Sequence, residues 1–364
     1  MSTGIETPRE RVAKGPDLDL GLRVSGDLRW AAWAIPSAPA GILRRMVVLR
    51  ADPWAPDYGM GFQARLDEPC PLADVTVETN DWTRPIAPRP VPDGHVVFVD
   101  GVRRAELRLV ATDGTVRAPG LFGSFAVGAV RCDGRASFGQ HLVQRRLVVG
   151  GGLTPDAAEV PCGRATLRFG PVAVAGLEPD APLDHLQRAM RQAENTLAAD
   201  LVAGGASLVV QDGPLRLGDA VDGPVVGAIK RFVRRYLEPA EDSLLGRLRA
   251  GERTPLFALL DAERATRGYS WYTRVAELRG PWHDHAGVLR CEVRASLGLA
   301  AAVSMADRVS ALLPAFAGRG SDPRTPQNLV PVAGLETWLR HRMGDARLIR
   351  RALLTWLSGD GEDG

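Results

Sequence analysis

The feature that most constrains this chain is a phrase that occurs twice: an apolar run of β type ending in Asp-Gly. It reads HVVFVDG from His95 to Gly101 and SLVVQDGPL from Ser207 to Leu215. Short continuous apolar runs bounded by turn residues fit fully buried strands. Between the two copies, Leu186, Met190, Ala193, Leu197 and Leu201 recur at helical spacing from Asp184 to Val202, with Asp184 or a neighbour available as a cap. Buried strands alternating with a helix predict an α/β domain with a mixed sheet.

The surrounding pattern extends that domain. Val96–Asp100, the alternating Arg104–Ala111 and the Gly-punctuated Leu121–Cys132 predict an antiparallel meander. Residues 133–182 read as an insertion that extends or caps the sheet, with strand-like pieces at His141–Val149 and Ala165–Ala175. Ala206–Gln211, Val225–Ile229, Phe257–Leu260, Tyr269–Leu278 and Val288–Val293 read as later strands. Lys230–Leu237, Gly298–Leu312 and Leu335–Leu357 read as helices. Upstream, residues 1–20 read as a flexible leader and residues 21–93 as an N-terminal β-rich segment, in which Trp30, Trp33, Ile35 and Val47–Leu49 mark short strands. That segment ends in the proline-rich connector Pro85–Asp93. The main domain spans 94–357, and residues 358–364 form an acidic tail.

Composition narrows the classes. With 45% hydrophobic and 24% charged residues the chain has ample core material. No apolar stretch approaches the roughly 18 residues of a membrane span; Trp30–Leu43 comes nearest and two prolines interrupt it. The charged first fifteen residues lack the apolar run of a secretory signal, so the expectation is a cytoplasmic protein with no membrane. Cys70, Cys132, Cys162 and Cys291 are widely spaced, which predicts free buried thiols rather than disulfides or a zinc site. A net charge of +2 rules out a wholly basic surface. Lys14 and Lys230 are the only lysines, and a GC-rich genome would explain the arginine bias as well as phosphate binding would.

The chemistry sits in three carboxylates. Phosphodiester hydrolysis needs an activated water and a clamp on developing charge, and two divalent ions about 3.5–4 Å apart supply both. Hard ions such as Mg²⁺ and Mn²⁺ take oxygen ligands. Asp100 and Asp212 each end an apolar run before a glycine that permits a sharp turn, and Glu194 lies on the intervening helix beside its apolar stripe. Asp-Gly is also a common hairpin turn, and a helical glutamate is commonly solvated; the ordered trio is what points to a metal site.

The order strand-Asp, hairpin, helix-Glu, strand-Asp is similar to that of ribonuclease-H-like nucleases. More closely, the chain resembles the NurA family of DNA-repair nucleases. The resemblance rests on VVFVDG at 96–101, the helix with Glu194, LVVQDGPL at 208–215, VVGAIKR at 225–231 and RTPQNLVPVAGLE at 324–336, spanning most of residues 95–345. It implies a ribonuclease-H-like fold and a manganese-dependent deoxyribonuclease acting in DNA end resection. The activity it implies is a 5′-end-directed exonuclease with endonuclease activity. It also implies a homodimer partnered by a HerA-like hexameric ATPase. The family's metal-binding carboxylates fall on Asp100, Glu194 and Asp212. Where family members often carry a Tyr-Pro segment followed by Ala-His, this chain places Asn328 and Glu336, so Glu336 becomes a fourth candidate ligand or marks a weakened site.

Other signals are subordinate. The chain has no Gly-Lys-Ser/Thr, so an ATPase partner is a separate protein. Arg103, Arg104, Lys230, Arg231, Arg234 and Arg235 are candidates for DNA phosphates, or for a plain exposed face. Trp282-His283-Asp284-His285 reads as a loop, Glu292 as a structural ion-pair partner and GGGLT at 150–154 as a turn. No Gly-x-Ser-x-Gly supports a serine hydrolase. The rival to the enzyme is a binding or assembly subunit of the same fold with little catalysis. A second rival is a metal-dependent nuclease for RNA or branched DNA, because backbone-directed sites carry little sequence information.

Overall fold

Eleven strands of the described residues join one mixed sheet, and its order explains where the acidic residues meet. The computed structural model describes residues 72–88, 95–113, 115–216, 223–231, 235–278, 280, 282–319 and 324–359, all within the unit Leu49–Gly364. The expected leader, the strands before residue 72, most of the Pro85–Asp93 connector, Cys70, Arg234 and the tail beyond Gly359 lie outside the described residues.

The strands are β1 (Ala73–Asp74), β2 (Val96–Asp113), β3 (Val116–Cys132), β4 (Ala136–Val149), β5 (Ala158–Cys162), β6 (Ala165–Ala173), β7 (Val209–Asp212), β8 (Val225–Ile229), β9 (Phe257–Leu260), β10 (Thr266–Arg274) and β11 (Val288–Arg294). The helices are α1 (Ala181–Ala203), the single-turn α2 (Pro239–Asp242), α3 (Leu299–Leu312), α4 (Val330–Arg342) and α5 (Ala346–Gly359). Across the sheet the order is β1-β9-β10-β11-β8-β7-β2-β3-β4-β6-β5. β2, β3 and β4 form the antiparallel meander, while β7 runs parallel to both β2 and β8.

Several boundaries differ from the sequence pattern for identifiable reasons. Val96–Asp100 and Arg104–Ala111 are one strand, so Gly101 is not a turn and Asp100 is not a strand end. Paired with β3 throughout, β2 passes Arg103 and Arg104 and absorbs one bulge between Ala105 and Leu107. β4 begins at Ala136, inside the stretch read as an insertion, and pairs with β3 from Cys132 onward. Lys230–Leu237 is not a helix among its described residues; the helical turn waits until Pro239. Leu335–Leu357 is two helices, α4 and α5, parted at Gly344, whose φ of 86° suits a residue without Cβ. α1 starts earlier than its pattern, with Asp180 at the N-cap position, Pro182 in the first turn and Asp184 acidic just inside.

Strand parity sorts the core into two faces. Val97, Val99, Phe125, Val127 and Val209 pack beneath Leu186, Met190 and Ala198 of α1. Val96, Phe98, Ala126, Val130, Val210 and Ala228 pack on the other face against Ala302, Ala306 and Val309 of α3 and Val332, Leu335 and Leu339 of α4. Leu299–Phe316 is long and apolar enough to span a membrane by length and composition, contrary to the expectation that no such stretch exists. Its buried face belongs to this core, and Asp307 in its middle accepts a 2.7 Å bond from Arg253. Cys132 and Cys291 are buried free thiols and Cys162 is a half-buried one. Glu292 accepts from Arg290 and from the Leu215 N–H at 2.7 Å, which is the structural role expected of it.

Candidate metal centre

The parallel register between β2 and β7 aligns the two Asp-Gly phrases. Val97, Phe98 and Val99 face Val209, Val210 and Gln211, and one step further Asp100 comes level with Asp212. Level residues of a parallel pair share a face, and the parity of Phe98 and Val210 puts both carboxylates on the side covered by α3 and α4. β7 stops at Asp212 while β2 continues, so the parallel pairing ends at the level of the two aspartates. α4 brings Glu336 to that end. Carboxylate oxygens of Asp100, Asp212 and Glu336 all lie within 4.8 Å of one another, the one such acidic or metal-ligating group among the described residues.

The basic partners are as informative as the acids. Lys230 follows β8 directly, two residues beyond Ala228, which pairs with Asp212. Its ammonium donates to Asp212 Oδ2 and to Asn328 Oδ1, both at 2.8 Å. Lys230 is therefore a buried member of the cluster, not a surface contact for a phosphate backbone. Arg324 donates to both oxygens of Glu336 at 3.0 and 2.8 Å, and Arg340 approaches Oε2 at 3.5 Å. Sequence spacing alone did not mark Arg324 or Asn328 as site residues in these roles. The signal available was their place in the same 324–336 stretch as Glu336.

Glu194 stands on the opposite side of the sheet plane. It is fully buried, with Oε2 held by Arg191 at 2.8 Å and by Gln211 Nε2 at 3.3 Å. A Cβ on Gly101 would lie 2.5 Å from its Oε1, so the glycine is there to admit this side chain. Gly213 serves a different end: its φ of 98° turns the chain after Asp212, while Arg191 donates to the Asp212 carbonyl at 2.6 Å. Glu194 is thus next to Asp100 along the strand but outside the group of three.

Burial, and then the neighbouring Asp212, push the Asp100 carboxyl well above its ordinary value, while Lys230 opposes the shift. Burial also raises Glu194 against the pull of Arg191. For Lys230 burial alone would lower the ammonium, but Asp212 and Asp100 hold it above its usual value. Two buried carboxylate oxygens here, Asp100 Oδ2 and Glu194 Oε1, have no hydrogen-bond partner. An unsatisfied buried acceptor is costly, and a cation is the group that would satisfy Asp100 Oδ2. Three carboxylates converging from two strands and a helix are an all-oxygen donor set suited to a hard divalent ion such as Mg²⁺ or Mn²⁺.

The remaining candidates are dispersed. Arg103 donates to Gln187 on the α1 side. Arg104 forks onto Glu106 at 2.8 and 2.9 Å and reaches the Gly344 carbonyl. Arg231 and Arg235 are exposed. His285 meets Asp242 at 3.1 Å in a turn, and Trp282-His283-Asp284-His285 forms no metal-ligating group.

No family model matches the chain, and no curated protein matches it. Among solved structures, the crystal structure of human ENDOV is similar over 72% of this chain and 93% of that chain, at 14% identity and a TM-score of 0.30. A superposition that loose establishes neither the chemistry nor the substrate of this chain.

Proposed function

We propose that this protein is a metal-dependent nuclease with a ribonuclease-H-like core, cleaving DNA phosphodiesters by hydrolysis. The observation that carries the reading is Asp100 Oδ2, buried and partnerless, in a carboxylate group with Asp212 and Glu336 spanning 4.8 Å. The strand succession supports it: the antiparallel meander β2–β4, the added strands β5 and β6, the helix α1 carrying Glu194, then β7 parallel beside β2. Asp100, Asp212 and Glu336 would hold the ion. Such an ion, when bound, polarises the phosphodiester and lowers the pKa of the attacking water. Lys230 neutralises part of the acidic charge at Asp212, and Arg324 and Arg340 set the orientation of Glu336. Glu194, behind Gly101, lies beneath the site with its charge paired to Arg191.

The substrate and partners extend from the motif resemblance. They are Mn²⁺-dependent processing of DNA ends, a homodimer, and a separate HerA-like ATPase. Asn328 and Glu336, which stand where that family often has tyrosine and histidine, both meet the acidic cluster here. Digestion of end-labelled single- and double-stranded DNA with Mn²⁺, Mg²⁺ or EDTA tests the reading, with Asp100→Ala, Asp212→Ala and Glu336→Ala beside wild type. Metal-dependent cleavage lost in Asp100→Ala and Asp212→Ala is expected; cleavage that survives in both overturns the site. One observation favours an assembly subunit instead: both oxygens of Glu336 are already engaged by Arg324. Wild type inert toward DNA with a HerA-like ATPase present, and without carboxylate-dependent Mn²⁺ affinity, would select that reading.

A further inference from the structure

Basic positions in this chain are arginine except at Lys14 and Lys230, and Lys230 stands among the acids. An ammonium is a compact point charge with three donors, whereas a guanidinium is a broad planar fork. Two of the three donors are committed, to Asp212 Oδ2 and Asn328 Oδ1. The backbone fixes the position: Ala228 pairs with Asp212, and Lys230 lies two residues further along the same strand line, on the same face. The side chain is only 7% exposed, so this charge cannot swing into solvent without leaving the core.

The ligand and charge inventory then limits what else fits. Glu336 gives both oxygens to Arg324, and Asp212 gives Oδ2 to Lys230. In the group of three, Asp100 Oδ2 is the buried oxygen left without a partner. Three carboxylates against Lys230, Arg324 and the largely exposed Arg340 leave at most a single net negative charge, increased by Glu194 only after its pairing with Arg191 is set aside. One divalent ion already more than offsets that charge; a second would add two further positive charges beside a fixed ammonium, with Asp100 the one carboxylate of the three not paired to a cation and so left to bridge the pair.

We propose that Lys230 takes the place of a second metal ion: the site binds one divalent cation through Asp100, Asp212 and Glu336, with the Lys230 ammonium as its permanent positive neighbour. This rests on the metal-site reading above, though not on DNA being the substrate. The expectation of a two-ion centre is replaced by one ion and one lysine.

Mn²⁺ titrated into the full-length protein, followed by calorimetry and by electron paramagnetic resonance, tests it without any cleavage assay. Wild type should bind one ion per chain with the six-line spectrum of an isolated Mn²⁺. Lys230→Met, which keeps length and removes charge, should bind two, with the spectrum of a coupled pair. Lys230→Gln, which can keep a hydrogen bond to Asn328, guards against collapse of the buried site and should also bind two. Two ions in wild type would refute the role of the lysine while leaving the metal centre standing. One ion in both folded variants would refute it as well, and no ion in wild type would remove the metal reading and this proposal together.

Discussion

Asp100→Asn should make the metal-free protein more stable while destroying its response to metal. Asp100 is 4% exposed, its Oδ2 has no partner, and its neighbours Asp212 and Glu336 carry like charge within 4.8 Å. Two unit charges at that distance repel by about 3–4 kcal/mol at an effective dielectric of about 20, part of which Lys230 offsets. An unsatisfied buried polar group costs about 1–3 kcal/mol in its own right. Asparagine keeps the shape, loses the charge and gains two N–H donors facing carboxylates. A gain of about 1–3 kcal/mol in EDTA at neutral pH follows. A domain of 150–250 residues shifts its midpoint by roughly 2–4 °C per kcal/mol, and a longer chain by less, so the rise is a few degrees.

The pH dependence has a definite sign. Burial and Asp212 hold the Asp100 carboxyl well above its ordinary 3.8. Between the unfolded and folded values, the native chain keeps a proton that the unfolded chain has released, so stability falls as pH rises through that window. Asp100→Asn lacks this fall. Its advantage over wild type should therefore be near zero at the acid end and grow as pH rises from about 4 toward the raised folded value. Adding Mn²⁺ at about 100 times its dissociation constant should stabilise wild type by about 2.7 kcal/mol and the variant by far less. The order of the two melting curves would then close or invert. Thermal unfolding in EDTA and in Mn²⁺ across that pH range measures all of this, and a variant that melts below wild type in EDTA would falsify the charge argument.

Three further outcomes follow from the packing. Gly101→Ala places a Cβ 2.5 Å from Glu194 Oε1 and 2.9 Å from Met190 Cγ, so urea denaturation should show a loss of about 1–3 kcal/mol; an unchanged midpoint would mean Glu194 is free to move aside. Arg253, 1% exposed, bridges Glu78 and Asp307; Arg253→Met strands both carboxylates and should lose about 3–5 kcal/mol in the same assay, less if solvent at Asp307 screens its charge. Burial pushes the Cys132 thiol up to about 11, and the enclosed Cys291 is raised further. Iodoacetamide at mildly alkaline pH should therefore mark half-buried Cys162 ahead of both, as read by peptide mapping; equal labelling of all three would contradict the burial.

The sheet was legible where burial left an unbroken apolar signature. Val225–Ile229 and Phe257–Leu260 stand as strands at the bounds their composition indicated, and the periodic stripe of α1 was extended by only a few residues. What misled was polar sequence inside regular structure. Arg103 and Arg104 look like a break after Val96–Asp100, yet Gln187 and Glu106 satisfy them and the strand continues. Lys230–Leu237 carries charges at helical spacing, but the first of those charges is drawn inward by Asp212 and Asn328, and its described residues are not helical. Long-range pairing of that kind leaves no mark on local periodicity.

The placement of the carboxylates was half legible, and strand parity separates the halves. Linear order groups Asp100, Glu194 and Asp212, because it records which elements are neighbours and not which face each residue takes. Parity adds the missing coordinate. Asp100 shares its face with Val96 and Phe98, and Asp212 with Val210, all in the core beneath α3 and α4. The helix between the strands, α1, packs with Val97, Val99 and Val209 on the other face. A ligand arriving from α1 must pass a residue of that second face, and Gly101 is small enough to let Glu194 come close without crossing. A ligand from α4 meets the aspartates directly. The acid that completes the group therefore had to come from the helix on the Phe98 face, and Glu336, near the middle of α4 and one residue from the core Leu335, fills that place.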